Sequence, residues 1–284
     1  MIKRILVALD VDIDTPIATK YALRLAHRYN ASLTGLAVVD VKNIYTSIGY
    51  AGGAGMYYAD RMREYLTEDT RREAQRLIRT FSDMAEKSAA THFEVIEEGV
   101  PYEFIIDEMK YHDLLVIGRE SHFFYNRPDQ PTNTVSEVVK KGICPTLVVL
   151  DAYHEVDKML IAYDGSEASA RVLQQFAHLQ PYGRDLEVEL VHVPAGDTEE
   201  EYKESDWMLS RAEHFLRDHG FAYIQRLVLD HGDPSKRLLE RLEKHPVDLT
   251  LMGAHSVSAI KRITLGSTTH ELVTKSRVPL FLAH

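Results

Sequence analysis

One cysteine, Cys144, occurs in the 284-residue chain, which excludes a framework of intramolecular disulfides. Long apolar runs are also missing, because stretches such as Pro145–Leu150 fall far short of the roughly 20 residues that a membrane-spanning helix needs. The first ten residues superficially resemble the start of a signal peptide, but the apolar stretch ends at Asp10 and no cleavage site follows. We therefore expect a cytoplasmic protein without a membrane span.

An excess of positive charge is missing as well. The chain has 33 Lys and Arg residues against 43 Asp and Glu residues, and its formal net charge is −10. This balance disfavours nonspecific binding to nucleic acid, which depends on neutralising phosphates. Hydrophobic residues make up 45% of the chain, as in ordinary globular proteins, and the length suggests two domains.

The chain contains two copies of one pattern, and internal repeats of this length define the domain organisation. Four segments recur in the same order: Ile5–Asp10 as Met159–Asp164, Gly99–Pro101 as Gly232–Pro234, Asp113–Gly118 as Asp248–Gly253, and Cys144–Pro145 as Val278–Pro279. Such agreement in order is hard to obtain by chance. We predict two domains, residues 1–152 and residues 153–284.

The distance between matched segments falls from about 154 residues at the first pair to about 134 at the later ones. The first copy therefore carries about 20 additional residues, and Asn43–Met62 is the obvious candidate. This segment contains a cluster of glycines beside four tyrosines. The pattern is typical of a surface or interdomain loop, and a lid over a ligand is the alternative.

Strand and helix patterns alternate in each copy. Apolar runs such as Ile5–Leu9 and Met159–Tyr163 are typical of strands that are buried on both faces. The second copy predicts helices over Glu199–Asp218, Pro234–Lys244 and Ser267–Lys275. Five strands and four helices per copy predict two tandem doubly wound five-stranded parallel α/β sandwiches. In such a fold, ligands bind beyond the carboxyl ends of the strands.

A combination of residues suited to phosphate follows the fourth strand of the second copy. Gly253 ends the strand, Ser256 follows three residues later, and Gly266-Ser267-Thr268 begins a helix after nine more residues. Glycine allows the backbone to approach an anion, and a helix N-terminus offers unpaired amides with partial positive charge. Asp164, after the first strand of this copy, could accept a hydrogen bond from an exocyclic amine or a ribose hydroxyl.

This spacing, together with the repeated segments, resembles the universal stress protein family over nearly the whole chain. The resemblance implies a tandem member with the adenine nucleotide hydrolase-like fold, which binds ATP, alone or with Mg²⁺. It assigns adenine and ribose to Asp164 and to the backbone of Val193, with Met252 packing nearby. It assigns the phosphates to a second group of residues, namely Gly253, Gly266, Ser267 and Thr268.

Both copies depart from the family pattern. Ser256 replaces the second glycine of the motif in the second copy, and we expect binding to survive because serine is tolerated at a negative φ. The first copy has Pro131 where a glycine is expected, and proline lacks the amide donor. We predict that the first copy does not bind ATP in the family manner, and that its Ser121–Pro131 loop makes an apolar pocket or interdomain contacts.

Structural explanations compete with these assignments. Asp164 could simply cap a turn, the two glycines could serve turns, and Ser267 could serve as a helix cap. Three histidines near strand ends, His192, His231 and His255, could converge on a metal, but their spacing is not that of known metal ligands and we expect no metal site. No catalytic residue is assigned, because no nucleophile–base or paired-carboxylate arrangement stands out.

Two functions follow from these alternatives. The first is a regulatory protein that binds an adenine nucleotide, with at most slow ATP hydrolysis. By resemblance, its two copies would pair through their last strands, Thr146–Leu150 and Leu280–Leu282, and a second such pairing would make a homodimer. The second is a nucleotide-free module for binding other proteins through the Asn43–Met62 and Ser121–Pro131 loops.

Overall fold

Two compact units make up the chain. The computed structural model describes residues 1–10, 14–48, 55–119, 134–256 and 264–283. One unit is formed by Lys3–Val138 and the other by Met1–Ile2 together with Val139–His284. The boundary between the units therefore falls before the end of the first sequence copy, in the last helix of that copy.

The unit Lys3–Val138 holds a parallel sheet. Its elements are β1 (Arg4–Leu9), α1 (Asp14–Tyr29), β2 (Ser32–Val39), α2 (Val41–Ile48), α3 (Gly55–Lys87), β3 (His92–Glu98), α4 (Pro101–Met109) and β4 (Leu114–Gly118), followed by α5 (Thr134–Lys141) at the boundary. The strand order is β3-β2-β1-β4, and each neighbouring pair is parallel.

The other unit continues this alternation of strands and helices. Its elements are β5 (Thr146–Val149), β6 (Lys158–Ala162), α6 (Glu167–Leu179), β7 (Glu187–His192), α7 (Glu199–Asp218), β8 (Tyr223–Val228), α8 (Pro234–Lys244), β9 (Leu249–Gly253), β10 (His255–Ser256), β11 (Thr264–Leu265), α9 (Ser267–Lys275) and β12 (Leu280–Ala283). The order is β8-β7-β6-β9-β12-β5, parallel except for the antiparallel pair β12 and β5. The predicted α/β fold and the pairing of the two last strands are therefore both present.

Hydrophobic burial explains why these segments form central strands. Residues Ile5–Leu9 are almost wholly buried, as are Met159–Ile161 in the equivalent strand β6. In α6, the predicted inward side chains Val172, Leu173, Phe176 and Ala177 are buried. Strands covered on both faces read as continuous apolar runs, which is why the sequence pattern reveals them.

Local capping explains where three helices of the second copy, α6, α7 and α8, begin. The Ser166 hydroxyl accepts a hydrogen bond from the Ser169 amide at the start of α6. Thr198 and Glu201 form a reciprocal capping box at the start of α7. Asp233 caps α8, which has Pro234 in its first turn. These side chains satisfy amides that have no partner within the helix.

The prediction of a loop over Asn43–Met62 is wrong for most of its length. Residues 43–48 belong to α2 and residues 55–62 to α3, while residues 49–54 lie outside the described part of the chain. Ile44 is fully buried, so α2 is held by an apolar anchor. Helix formation on either side of the glycines follows from their confinement to positions 49–55, because Tyr, Met, Arg and Ala all tolerate helical backbone.

A buried carboxylate lies on β7, in the second copy. Glu189 is 4% exposed, and its oxygens lie 3.0 Å from Lys158 Nζ and 3.0 Å from Arg241 Nη2. Burial alone would raise the pKa of Glu189, but the hydrogen bonds and charges of Lys158 and Arg241 outweigh it and hold the pKa below its usual value. The strand thus carries an ionised group that depends on its two partners.

Within the ranges that the structure describes, no helix combines the length and the apolar character that crossing a bilayer requires.

Candidate functional site

A cavity of about 370 Å³ opens at the carboxyl ends of β6, β7 and β9, beside the first turn of α9. All but one of the predicted site residues line it, namely Asp164, Val193, Met252, Gly253, Gly266, Ser267 and Thr268. The remaining one, Ser256, lies in β10, and its side chain is outside what the structure describes. The fold therefore gathers residues that are up to about 100 positions apart in the sequence.

The first turn of α9 presents polar groups to this cavity. Gly266 is the residue before the helix, with φ −60° and ψ 143°, and it provides no side-chain cap. In the described part of the chain, the hydroxyls of Ser267 and Thr268 make no hydrogen bond. Free amides, free hydroxyls and the positive end of the helix dipole together favour an anion.

Thr269, one residue further along α9, has a structural role. It is buried, and its Oγ1 donates a 3.0 Å hydrogen bond to the carbonyl oxygen of Gly253. This bond ties the start of α9 to the end of β9. Sequence reasoning did not single out Thr269, although it continues the run of hydroxyl residues that begins at Ser267.

Asp164 follows β6, where it caps a turn while its carboxylate lines the cavity. Its Oδ1 accepts a 3.0 Å hydrogen bond from the Ser166 amide, so it does cap a turn. Partial burial would raise its pKa, but hydrogen bonds from Ser166 and Ser169 outweigh this effect and hold the pKa below the ordinary value. The residue stays accessible to solvent, so an ionised carboxylate faces the cavity.

His192, at the end of β7, is a cavity residue that sequence reasoning considered only as a metal ligand. Its Nδ1 lies 2.9 Å from the carbonyl oxygen of Tyr163. A carbonyl only accepts, so Nδ1 carries the hydrogen and, in the neutral ring, Nε2 is an acceptor. The histidine therefore anchors the turn that carries Asp164. In the sequence, His192 directly precedes the predicted site residue Val193, and this adjacency was the signal that could have identified it as a cavity residue.

Apolar side chains form another wall of the cavity. Met252 and Leu238 are buried there, and Val191 and Pro234 also line it. Met252 was predicted, whereas Leu238 and Pro234 come from α8, whose packing beside α9 is a matter of tertiary structure. An apolar wall opposite a few polar groups is the usual composition of a small-molecule site.

Gly253 has a packing reason to be glycine. A Cβ at this position would lie 2.8 Å from the backbone carbon of Ala168 and 2.8 Å from the amide nitrogen of Ser169. Real Cβ atoms do not approach backbone so closely, so the close crossing of β9 and α6 requires the missing side chain. Gly253 thus serves the fold whether or not it also serves a ligand.

After β9, the two short strands β10 and β11 pair in an antiparallel arrangement, in which Ser256 lies opposite Thr264. The extended backbone of β10 suits serine as well as glycine, so no strain arises from the departure at Ser256. This pairing was not predicted. Lys261 and Arg262, the two basic residues of the segment between these strands, lie outside the described residues.

The first copy differs at the position equivalent to Asp164. Asp10 is 1% exposed, its Oδ1 accepts a 3.1 Å hydrogen bond from Thr15 Oγ1, and Thr15 Oγ1 accepts a 2.8 Å hydrogen bond from the Asp10 amide. This carboxylate is therefore buried, whereas that of Asp164 is exposed. The Ser121–Pro131 loop and Pro131 itself lie outside the described residues, so the absence of ATP binding in this copy stays a prediction.

Across the residues with described positions, no three His, Cys, Asp or Glu side chains are grouped closely enough to hold a metal ion.

Comparison with known proteins identifies the family. The profile of the Universal stress protein family matches residues 1–149 and again residues 155–284. The chain therefore belongs to the universal stress protein family, with two copies of the domain in tandem.

Individual proteins are similar to this chain over its whole length or part of it. The universal stress protein Slr1230 of Synechocystis is 23% identical over 270 residues, which cover 92% of each chain. A crystal structure of a universal stress protein from Archaeoglobus fulgidus covers 99% of this chain and 95% of its own at 18% identity, with a TM-score of 0.67, and it has the same fold. A universal stress protein solved in complex with cAMP is similar over 46% of this chain and 98% of its own, at 18% identity and a TM-score of 0.37.

Proposed function

We propose that this universal stress protein is a regulatory protein that binds ATP in its second copy. The observation that carries the proposal is one cavity that joins the uncapped N-terminus of α9 to the exposed carboxylate of Asp164 across an apolar wall. These three surfaces match the three chemical parts of a nucleotide: phosphates, ribose hydroxyls and base. A cytoplasmic location belongs to the same proposal.

The phosphates would lie against α9. Ser267 and Thr268 each add a hydroxyl donor to the free amides of the first turn, and Gly266 leaves room for an oxygen to approach. Asp164 would accept from the ribose or the amine of the base, and the backbone of Val193 would contact the base. Met252 and Leu238 supply the apolar surface on which a base packs.

Hydrolysis of bound ATP is expected to be slow. A general base works best when its pKa is near the operating pH, whereas the pKa of Asp164 is held below its ordinary value. Asp164 is also the sole carboxylate among the predicted site residues, so a magnesium ion would be held mainly by the phosphates. Binding without efficient turnover suits a regulatory role.

The first test is a calorimetric titration of the nucleotide-stripped full chain with ATP. We expect one site per chain, because the carboxylate of Asp10 is buried while that of Asp164 is exposed at a cavity. Thr268→Ala should weaken binding about tenfold, the worth of one hydrogen bond to a charged group. The matched control Thr274→Ala changes the far end of the same helix and should bind normally.

Two sites per chain would contradict the assignment of the first copy, and no binding would contradict the proposal as a whole.

Self-association of the chain through its last strands was also predicted. However, β12 is paired on one edge by β9 and on the other by β5, so it offers no free edge to a second chain. A homodimer stays a prediction.

A second function is favoured by the exposed aromatic side chains of the first copy. Tyr58, Met62 and Tyr65 lie on one face of α3 at helical spacing, and each is more than half exposed. Large apolar side chains grouped on a surface mark sites of contact with other proteins. Under this alternative, α3 is a docking face and nucleotide binding is dispensable.

Changing Tyr58, Met62 and Tyr65 together to serine tests this alternative. We expect a partner that binds the wild-type chain through α3 to lose at least about tenfold in affinity, because exposed tyrosines are frequent anchors of interfaces. The control variant changes Arg61 and Glu64, which are exposed on the same helix, to serine. Equal partner recovery by both variants would count against the docking face, and ATP binding should be unchanged in both.

A further inference from the structure

A second and larger cavity, of about 1150 Å³, lies between α6 and α7. It adjoins the cavity already described, and both are lined by Tyr163, Asp164 and His192. Its volume exceeds what a drug-sized ligand needs, so it has room for a molecule of its own. None of the residues assigned to the phosphates lines it.

The lining of this α6–α7 cavity is apolar at its base and aromatic at its rim. Leu173 on α6 and Met208, Ala212 and Phe215 on α7 form the apolar part. Trp207 is 62% exposed, an unusual position for so large an apolar side chain. Aromatic rings and a thioether offer favourable contacts to a further aromatic ring.

Charge at the rim selects against anions. Asp164, Glu201 and Glu204 all line the cavity. Arg211 is the opposing cation, and its guanidinium already stacks on Trp207, 4.9 Å from the ring centroid. Three carboxylates against one arginine leave an excess of negative charge, so an anionic ligand would be repelled.

We propose that the α6–α7 cavity is a second ligand site, which binds a small aromatic molecule without negative charge. Its apolar base would bury the rings of the ligand, and the acidic rim would exclude nucleotides and other anions. The site is therefore chemically the opposite of the phosphate-binding end of the neighbouring cavity.

The turn Tyr163–Gly165 forms a wall shared by the two cavities. Its carbonyl at Tyr163 is held by His192, and Gly165, with φ +74°, packs against Met208 so closely that a Cβ would lie 2.5 Å from Sδ. A ligand on either side of the turn contacts the same backbone. Binding at one site should therefore change the affinity of the other, and this coupling rests on the proposed ATP site.

Trp207 allows a direct test, because it is the sole tryptophan in the chain. The probe is N-phenyl-1-naphthylamine, an uncharged aromatic compound that absorbs where tryptophan emits. We expect it to quench Trp207 emission at one site per chain. Its sulfonated counterpart, 8-anilinonaphthalene-1-sulfonate, has the same rings and a negative charge, and it should bind at least about tenfold more weakly.

Two matched variants locate the probe. Ala195 is exposed at the edge of the α6–α7 cavity, so Ala195→Phe fills the space without disturbing the core. This variant should lose at least about tenfold in affinity for the uncharged probe. Ala222→Phe makes the same change at an exposed position that does not line the cavity, and it should bind the probe normally. Equal binding by both variants, or no quenching in the wild-type chain, would overturn the proposal.

ATP in the same titration distinguishes this site from the nucleotide site. Saturating ATP should change the affinity of the probe by about fivefold or more, and the probe should change the affinity of ATP by the same factor. A variant that cannot bind ATP should still bind the probe, which separates failure of the proposed function from failure of this one. Simple displacement of the probe by ATP would overturn the existence of a separate site.

Discussion

Replacing Gly266 by aspartate is expected to abolish ATP binding while the chain stays folded. Gly266 precedes α9 with φ −60° and ψ 143°, a conformation open to every L residue and preferred by aspartate at helix starts. The new carboxylate would accept from the first amides of α9 and occupy the place proposed for phosphate. Repulsion between like charges at close range should lower affinity by at least about 100-fold.

The stability of the Gly266→Asp variant should not fall with its affinity for ATP. An aspartate cap stabilises a helix start by a few tenths of a kcal/mol relative to glycine, so thermal unfolding without ligand should occur at the same or a slightly higher temperature. Gly266→Asn is the matched control, since it has the same shape and capping ability without the charge, and it should lose less affinity. Normal ATP binding by the aspartate variant would show that the nucleotide lies elsewhere.

The substitution Glu189→Ala is expected to destabilise the chain by about 3 kcal/mol, the typical result of removing one partner from a buried ionic group. The change would leave Lys158 and Arg241 without the carboxylate that lies 3.0 Å from each. Urea unfolding at neutral pH measures the loss. Glu187→Ala, at an exposed position of the same strand, is the matched control and should be nearly neutral.

The difference in unfolding free energy between the wild-type chain and Glu189→Ala should change with pH in one direction only. Because the pKa of Glu189 is held below its ordinary value of 4.5 in the folded chain, its contribution is complete above about pH 4.5. This contribution is lost as the pH falls through the lower pKa that Glu189 has in the folded chain. The stability gap between the wild-type chain and Glu189→Ala should therefore be constant near neutrality and narrow in acid; a gap that widens in acid would contradict this account.

Local signals explain which parts of the fold were predictable from the sequence. The bounds of α7, α8 and α9 agree with prediction because each helix begins beside a recognisable residue: Thr198, Asp233 and Gly266 respectively. The strands are apolar runs, and their burial on both faces explains that pattern. The place of the candidate site followed from parallel topology, which brings strand ends together.

Features that depend on contacts distant in the sequence were not predictable in the same way. Glycines and tyrosines around residues 49–58 suggested a loop, but the burial of Ile44 and the length of α3 override that local composition. Leu238 lines the cavity because of how α8 packs, and the hydrogen bond from His192 to the Tyr163 carbonyl depends on the position of β7. The α6–α7 cavity is a gap between two helices, and no sequence pattern marks a gap.

The pairing of β5 with β12 has a consequence for how the chain can be divided. The family profile ends its first match at residue 149, so β5 belongs to the first copy by sequence, yet it lies in the compact unit of the second. A fragment beginning at residue 153 would start with the edge of β12 bare, and bare strand edges recruit strands from other molecules. Such a fragment should associate in a concentration-dependent way. The first copy thus supplies the strand β5 that covers β12 in the compact unit of the second copy.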